Sequence, residues 1–384
     1  MTRRRIAIVL TTRGNYAKTK STMRAIQGAA ALELVTIVGG GIVQSRFGDY
    51  RPAIEGDGFR IDCSVDFLLE DGATLGAQAE SAARAVSMVG HALTQLRPDA
   101  VLVIADRYEA LAIALAATCM NVPIAHLEGG EVSGSIDERM RHAITKLAHL
   151  HLPANAEAAS RIERMGEDRA RIVVVGTPSL DLLAALDLEE RGALTRATGG
   201  DGDTIDFASD YVVVSQHPVP TEADSAEQQI EETAAAIAAV GLPTVWMLPN
   251  MDAGGDGAGR AFARIRRDGL GVRLRFYPSL ALEAYAVLLH HARCLVGNSS
   301  SGIREGAFLG VPAINIGSRQ RGRQRGRNVV DVANRCDAIT AAMRGQIAHG
   351  RYPCDPVYGD GNAGAKIAAA LRMMPLGLEK MITY

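Results

Sequence analysis

The sequence predicts an α/β protein built from two doubly wound halves, each a parallel sheet covered by helices. Short apolar runs, typical of strands buried on both faces, alternate with amphipathic stretches almost from end to end. The alternation breaks at residues 176–178, passes a loop at residues 199–203 and then starts again. A chain of 384 residues also exceeds one ordinary core, so two domains are expected.

The pattern predicts the elements of each half in order. In the first half we expect strands at residues 5–10, 33–38, 100–105, 123–127 and 171–175, and helices at residues 17–30, 76–96, 108–121, 137–149 and 154–165. In the second half we expect strands at residues 211–216, 243–248, 272–277, 294–296 and 312–316, and helices at residues 223–240, 258–267, 280–291, 302–309 and 362–373. Two such halves favour an enzyme that closes on its ligand in a cleft.

Composition excludes several classes of partner. A net charge of −2 and an aromatic content of 4% argue against nucleic acid, which requires a basic surface and stacking platforms. No run of about 18 apolar residues occurs, so we expect no membrane span. The cysteines are odd in number, scattered and without metal-ligand spacing, which fits a reduced cytoplasm and no bound metal: Cys63, Cys119, Cys294, Cys336 and Cys354.

Charged residues follow two predicted strands of the first half. Asp106 and Arg107 come after residues 100–105, and Arg13 comes after residues 5–10. Ligands of open α/β sheets bind at the carboxyl ends of strands, where Arg13 could clamp a phosphate. Asp106 could instead cap the next helix, and Arg13 could be a solvated loop residue.

An acidic group follows the strand at residues 123–127. Glu128 comes directly after it, and Asp137 and Glu138 open the next helix. The two helix acids could simply oppose the helix dipole. Three carboxylates on adjacent elements would nevertheless repel each other unless they surround a substrate or pair with basic groups, so we interpret them as candidate catalytic acids.

The second half carries a candidate phosphate cradle. Residues 297–302 form a small-residue turn that leads into a predicted helix, a geometry that offers backbone N–H groups to an anion. Ser299 and Ser300 lie in this turn, and Glu305 could accept the hydroxyls of a ribose. His217 follows a strand and either faces the ligand or is a bonded loop histidine. Carboxylates in one half and a cradle in the other suggest chemistry on a nucleotide-linked molecule.

Two further segments are informative. Arginine alternates with other residues from Arg319 to Arg327, and we interpret all of these arginines except Arg319 as a solvated basic loop. The glycines at residues 39–41 lack the spacing of a dinucleotide fingerprint, and no Walker A sequence occurs, so we expect no nicotinamide cofactor.

Taken in order, these motifs resemble the UDP-N-acetylglucosamine 2-epimerase family, and its hydrolysing branch most. The stretch at residues 126–149 carries the Glu-Gly-Gly-Glu-Val-Ser-Gly and Arg-His-Ala-Ile-Thr-Lys-Leu-Ala-His motifs. Further matching motifs lie at residues 216–219, 249–254, 297–305 and 358–362. The resemblance covers nearly the whole chain.

The resemblance implies a fold of GT-B type, two Rossmann-like domains facing across a cleft. We expect the N-terminal domain at residues 1–176, the UDP-binding domain at residues 177–365, and a terminal helix and tail at residues 366–384 that pack back toward the first domain. The implied UDP contacts are Arg13, Arg107, Asn250, Ser299, Ser300, Glu305 and Arg319. The implied catalytic residues are Asp106, Glu128, Asp137 and Glu138, with His217 near the diphosphate and able to assist.

The resemblance also implies a reaction that needs no metal and no redox cofactor. UDP leaves in an anti elimination that forms a 2-acetamidoglucal, and addition follows at the opposite face of C2. Water adds in the hydrolysing branch and gives N-acetylmannosamine and UDP, whereas UDP returns in the other branch. We expect hydrolysis and a cytoplasmic homo-oligomer, a dimer or tetramer. Ile104-Ala105, Asn15 and Ala17 depart from the family pattern, so non-hydrolysing interconversion of the two UDP-sugars and a 2,4-diacetamido or antibiotic-pathway sugar stay open. A glycosyltransferase and an inactive nucleotide-sugar sensor stay open as alternatives of another class.

Overall fold

The computed structural model describes residues 3–69, 75–104, 107–133, 136–197, 199–249 and 255–383. These residues form two compact units. Unit 1 contains Met1–Ala184 and Gly359–Tyr384, and unit 2 contains Ala185–Tyr358. The unit boundaries therefore lie at 184/185 and 358/359, whereas we expected domain boundaries at 176/177 and 365/366. The reason is Asp181, whose carboxylate accepts the N–H groups of Ala363 and Gly364, both at 2.7 Å, within unit 1.

Unit 1 is a six-stranded parallel sheet with helices on both faces. Its strand order is β3-β2-β1-β4-β5-β6, so the direction of winding reverses between β1 and β4. The strands are β1 Arg4–Leu10, β2 Leu32–Gly39, β3 Cys63–Val65, β4 Ala100–Ile104, β5 Ile124–Leu127 and β6 Leu150–Leu152. The helices are α1 Arg13–Gly28, α2 Arg51–Gly56, α3 Leu75–Leu96, α4 Tyr108–Cys119, α5 Ile136–Leu147, α6 Ala156–Arg164, α7 Ser179–Ala184 and, late in the chain, α14 Ala363–Met373.

Unit 2 is a seven-stranded sheet in the order β13-β12-β11-β8-β9-β10-β7, antiparallel only where β7 pairs with β10. Its winding reverses between β8 and β11. The strands are β7 Asp201–Gly202, β8 Val212–Ser215, β9 Thr244–Met247, β10 Leu274–Tyr277, β11 Leu295–Gly297, β12 Ala313–Ile316 and β13 Val329–Val332. The helices are α8 Gly192–Thr195, α9 Ala226–Val240, α10 Gly255–Asp268, α11 Leu282–His291, α12 Glu305–Leu309 and α13 Cys336–His349.

Burial explains why the central strands were predictable. The residues of β4, β5, β8, β9 and β12 are buried throughout, as the continuous apolar runs indicated. Apolar side chains from both faces of the unit 1 sheet form two cores, one of which includes α14 packed beside α1. The two doubly wound units confirm the predicted fold class.

The strand predicted at residues 171–175 is wrong. Within it, Ile172 makes only an isolated bridge to His151, and Val174 is 46% exposed. The sixth strand of the unit 1 sheet is instead β6. Its three residues are too few to show the alternation of hydrophobicity that predicts a strand. Three other short strands, β3, β7 and β13, were also not predicted. In the described part of the chain, no helix combines the length and apolarity that a bilayer span requires.

Candidate active site

The predicted site residues of unit 1 lie at the carboxyl end of its sheet, around the point where the winding reverses. Arg13 is the first residue of α1, directly after β1, and Arg107 precedes α4, after β4. Glu128 follows β5, the neighbouring strand. This edge is where open α/β sheets bind ligands. Asp106, predicted as a catalytic acid, lies outside the described residues.

Arg13 is exposed at the start of α1, and a neighbouring loop guides its side chain. Its guanidinium carbon lies 5.2 Å from the centre of the Tyr50 ring, a cation–π contact. One terminal nitrogen donates to the Gly48 carbonyl oxygen at 3.4 Å. Thr12 caps the helix by accepting the Asn15 N–H at 3.1 Å. The helix start therefore presents Arg13 outward at the carboxyl end of the sheet.

Glu128 is the most constrained of the predicted acids. Its side chain is only 5% exposed. Its φ of 62° places a residue with a Cβ in the left-handed region, a strained conformation that is common at functional sites. Thr177 Oγ1 donates to Glu128 Oε1 at 2.6 Å, and Lys18 Nζ lies 3.3 Å from Oε2. The carboxylate is therefore held in one orientation directly after β5.

Asp137 and Glu138 occupy the first turn of α5 and are half-buried. Glu138 Oε2 accepts the Ser133 N–H at 2.8 Å, so this acid reaches back over the preceding loop. Desolvation lowers the pKa of Arg107, but the nearby carboxylates of Glu109 and Asp137 contribute to a net rise. Asp137 therefore lies within electrostatic range of Arg107, and the structure brings the acids of α5 near the strand ends.

Unit 2 joins its two central strand ends through Asn298. Asn298 Oδ1 accepts the His217 N–H at 2.7 Å, and its Nδ2 donates to the His217 carbonyl oxygen at 2.8 Å. The side-chain amide thus bonds to both backbone groups of His217 and ties the loop after β8 to the loop after β11. Gly297 allows this approach, since a Cβ there would lie 2.2 Å from the Ser215 carbonyl oxygen. His217 is placed where the winding of unit 2 reverses.

The serine turn after β11 is ordered by its own hydroxyls. Ser299 Oγ lies 2.8 Å from Ser301 Oγ, which lies 2.7 Å from the Tyr285 hydroxyl. Burial raises the pKa of Tyr285 to about 12, so this hydroxyl keeps its proton. Ser300 begins a short 3₁₀ turn, and Glu305 is the first residue of α12. The predicted helix at residues 302–309 is thus a 3₁₀ turn followed by a five-residue helix.

After β12, Arg319 contacts the serine turn, whereas Arg325 and Arg327 pair with acidic residues. Arg319 donates to the Asn298 carbonyl oxygen at 3.0 Å, which brings it to the serine turn. Further along, Arg325 pairs with Asp331 at 3.1 Å and Arg327 with Asp355 at 3.8 Å, while Arg321 is exposed. Asn250, the remaining predicted UDP contact, lies outside the described residues.

Histidine and carboxylate groups suited to a metal come together once in the described part of the chain, at Glu189, His290 and His291. Arg351 lies 3.2 Å from His290 Nδ1 and Arg191 lies 3.0 Å from His291 Nδ1. Because arginine can only donate, each Nδ1 accepts, and each neutral ring carries its proton on Nε2. Those Nε2 atoms face the Glu189 carboxylate and the Leu188 carbonyl, so the arrangement is a hydrogen-bonded cluster rather than an open ligand set.

Sequence reasoning missed the residues that orient these groups. Thr177 and Lys18 hold Glu128, and Tyr285 orders the serine turn. Each of these residues is distant along the chain from the group that it contacts, so no short motif could have predicted the contact. Asn298 was predicted only as part of the cradle, although it connects the two strand ends.

Comparison with known proteins places this architecture in a family. A family model described as UDP-N-acetylglucosamine 2-epimerase matches residues 24–372. A UDP-N,N'-diacetylbacillosamine 2-epimerase (hydrolyzing) from Legionella pneumophila is 33% identical over 97% of this chain and 97% of its own. A UDP-N-acetylglucosamine 2-epimerase from Neisseria meningitidis is 29% identical over 94% of this chain and 92% of its own.

A solved structure shows the same fold. The UDP-GlcNAc 2-epimerase from Neisseria meningitidis, bound to UDP-GlcNAc, superposes with a TM-score of 0.77 at 14% identity and covers 96% of this chain and 99% of that one. The family model, the relatives' coverage and the shared fold lead to one conclusion. The chain belongs to the UDP-N-acetylglucosamine 2-epimerase family.

Proposed function

We propose that this protein is a hydrolysing UDP-N-acetylglucosamine 2-epimerase that releases N-acetylmannosamine and UDP. The observation that carries the proposal is Glu128, a buried carboxylate in a strained conformation at the ligand-binding edge of unit 1. Membership of the family supports the reaction class. The relatives from Legionella pneumophila and Campylobacter jejuni, both described as hydrolyzing, support release of UDP.

The carboxylates of unit 1 perform the proton transfers in this proposal. Removal of the weakly acidic C2 proton and departure of UDP from C1 give a 2-acetamidoglucal. Water then adds its oxygen to C1, and C2 receives a proton on the opposite face. Two faces require at least two acid–base groups, for which we propose Asp106, Glu128, Asp137 and Glu138. Glu128 is oriented for this work by Thr177 and Lys18.

The loops of unit 2 hold UDP in the same proposal. We assign Ser299, Ser300, Glu305, Arg319 and Asn250 to the nucleotide, and Arg13 and Arg107 of unit 1 to further UDP contacts. His217 is assigned to the diphosphate, where it can also assist catalysis. Arginine and backbone N–H donors stabilise the negative charge that develops on the leaving diphosphate.

A second substrate has its own support. Of the two relatives compared above, the one described as acting on UDP-N,N'-diacetylbacillosamine is the more identical, at 33% against 29%. The departures at Asn15 and Ala105 fall in the unit that carries the acids. The second candidate is therefore hydrolytic 2-epimerisation of a UDP-2,4-diacetamido sugar, with the same residues in the same roles.

Proton NMR of each UDP-sugar with enzyme in D₂O tests the proposal. Deuterium at C2 of a free, inverted sugar, formed together with an equal amount of UDP, is the expected result. A lasting equilibrium of two UDP-sugars would contradict hydrolysis, and transfer that occurs only with an added acceptor would indicate a glycosyltransferase. Unchanged sugar despite measurable UDP binding would contradict catalysis altogether. Faster turnover of the diacetamido sugar would select the second substrate.

A further inference from the structure

Residues 375–383, which we call the tail strap, follow α14 and lie against the rest of unit 1. Lys380 is its central contact. The Lys380 ammonium donates to the carbonyl oxygens of Thr145, Lys146 and Ala148 at 3.2, 2.7 and 2.6 Å. These three carbonyls lie at the end of α5, where a helix leaves its last acceptors without intrahelical partners. A cation at this end also opposes the helix dipole.

A buried carboxylate fixes the same ammonium. Glu167 Oε2 lies 2.7 Å from Lys380 Nζ, and the Glu167 side chain is only 2% exposed. The same carboxylate pairs with Lys146 of α5 at 2.6 Å and with His151 of β6 at 2.9 Å. Lys380 therefore has four oxygen partners at 2.6–3.2 Å and closes a cluster shared by the strap, α5 and β6.

The strap is anchored on both sides of Lys380. Arg171 donates to the Glu379 carbonyl oxygen at 3.3 Å, and the Thr383 N–H donates to the Gly166 carbonyl oxygen at 3.0 Å. The preceding turn is held independently, because Arg4 donates to the carbonyl oxygens of Leu371 and Met374 at 2.6 and 2.7 Å. Removal of the strap should therefore leave α14 in place.

The other end of α5 carries Asp137 and Glu138. Glu138 bonds to the Ser133 N–H, and Arg141, one turn further on, donates to the Glu131 carbonyl oxygen at 2.7 Å. The helix is thus held at its first turns by the loop after β5 and at its last turn by the strap. A rigid twelve-residue helix transmits an axial shift from one end to the other.

We propose that Lys380 is a positioning residue for the reaction: by capping α5 it sets the position of the acids on the first turn of that helix. This inference rests on the proposed function. It predicts an effect on turnover rather than on UDP binding, because the residues assigned to UDP do not lie on α5. The effect is expected to be about 10-fold, since a misplacement of a catalytic group of about 1 Å can cost up to about 100-fold.

The test compares three substitution variants of the full chain and one shortened chain with the wild type. Lys380→Met keeps the length of the side chain but removes the charge and the donors. Lys380→Arg restores both. A chain that ends at Met374 removes the strap and keeps the Arg4 contact. Lys366→Met is the matched control, because Lys366 is a half-exposed lysine of α14 that pairs with Asp360 at 2.9 Å.

Three quantities are measured: kcat per UDP-binding site, KM for the UDP-sugar, and backbone amide hydrogen exchange of α5. For Lys380→Met and the shortened chain we expect kcat to fall about 10-fold with KM within about twofold, and exchange at the end of α5 to accelerate about 10-fold. The rate is divided by the concentration of UDP-binding sites measured by calorimetry, so that unfolded enzyme does not lower kcat. Lys380→Arg should recover most of the rate, and Lys366→Met should match the wild type.

Two results would overturn the inference. One is faster exchange in α5 of Lys380→Met with unchanged kcat, which would make the strap structural only. The other is a loss of kcat that Lys380→Arg does not relieve. A wild-type enzyme with no turnover on any UDP-sugar contradicts the proposed function instead, so the two failures are distinguishable.

Discussion

Thr177 donates a hydrogen bond of 2.6 Å to Glu128, 49 positions earlier in the chain. Thr177 is fully buried and precedes α7, whereas Glu128 directly follows β5 at the carboxyl edge of the unit 1 sheet. With Lys18 on the other oxygen, the carboxylate has a donor on each side. A carboxylate held in this way keeps its direction without relying on a substrate.

Replacement of Glu128 by Gln tests the acid itself. The amide can neither accept the C2 proton nor deliver one, so turnover should fall at least about 100-fold, the usual cost of a lost general acid or base. Asp106→Asn should behave alike. Calorimetry should show UDP affinity close to that of the wild type. Near-normal turnover in either variant would remove that residue from the catalytic assignment.

Replacement of Thr177 by Val tests the orientation. Valine keeps the shape of the threonine side chain but removes the hydroxyl that donates to Glu128. We therefore expect the free energy of unfolding to fall by about 1 kcal/mol. Turnover should fall, but by less than in Glu128→Gln. Thr94→Val, on the exposed side of α3, is the control and should change neither quantity. Unchanged turnover in Thr177→Val would mean that the hydrogen bond is only structural.

Two arginines after β12 offer a matched pair of substitutions for testing UDP binding. Arg319 contacts the serine turn, whereas Arg321 is an exposed arginine two positions away. Loss of a charge-assisted hydrogen bond should raise the Kd of Arg319→Ala for UDP about 10- to 100-fold in calorimetry. Arg321→Ala should stay within about twofold of the wild type. Equal affinity in both variants would contradict the assignment of Arg319.

A second matched pair tests the close approach of β11 to β8. Gly297 has a φ of 136°, and a Cβ there would lie 2.2 Å from the Ser215 carbonyl oxygen, so Gly297→Ala should destabilise unit 2 by about 3 kcal/mol or more. Gly345 lies within α13 with open space around it, so Gly345→Ala should stabilise by about 0.5–1 kcal/mol. Trp246 is fully buried in unit 2 and is the only tryptophan, so urea unfolding followed by its fluorescence reports this unit.

Glu167 should make unit 1 sensitive to acid. Desolvation raises the pKa of this carboxyl, but hydrogen bonds from His151, Lys146 and Lys380 outweigh it and lower the pKa from 4.5 to about 2. Because the pKa of Glu167 is lower in the folded protein than in the unfolded chain, its ionised form adds about 3 kcal/mol to the free energy of unfolding above pH about 4.5. This contribution is lost as the pH falls toward 2.

Acid unfolding of Glu167→Gln measures this contribution. The variant should be less stable than the wild type at pH 7, and the difference should shrink between pH 4.5 and 2. Glu163→Gln is the control, because Glu163 is exposed and pairs with Arg169 at the surface. A stability difference that does not depend on pH in this window would contradict the role of the charge.

Local sequence was sufficient for the core strands and the ends of those strands. The apolar runs of β1, β4, β8 and β9 predict strands that are buried on both faces. In parallel sheets, ligands bind after the carboxyl ends of such strands. The sequence alone therefore places Arg13, Arg107, Glu128 and His217 at the carboxyl edges of the two sheets. The short edge strands could not, because the half-exposed β13 has no continuous apolar run and β6 is only three residues long.

The contacts between residues far apart in the chain were decided only by the tertiary structure. Thr177 meets Glu128, and Lys380 meets the end of α5 more than 230 positions away. A periodic pattern records which face of an element is buried, since burial depends on the hydrophobicity of each residue in turn. A hydrogen bond depends instead on two atoms lying within about 3 Å of each other, and only the packed backbone sets that distance.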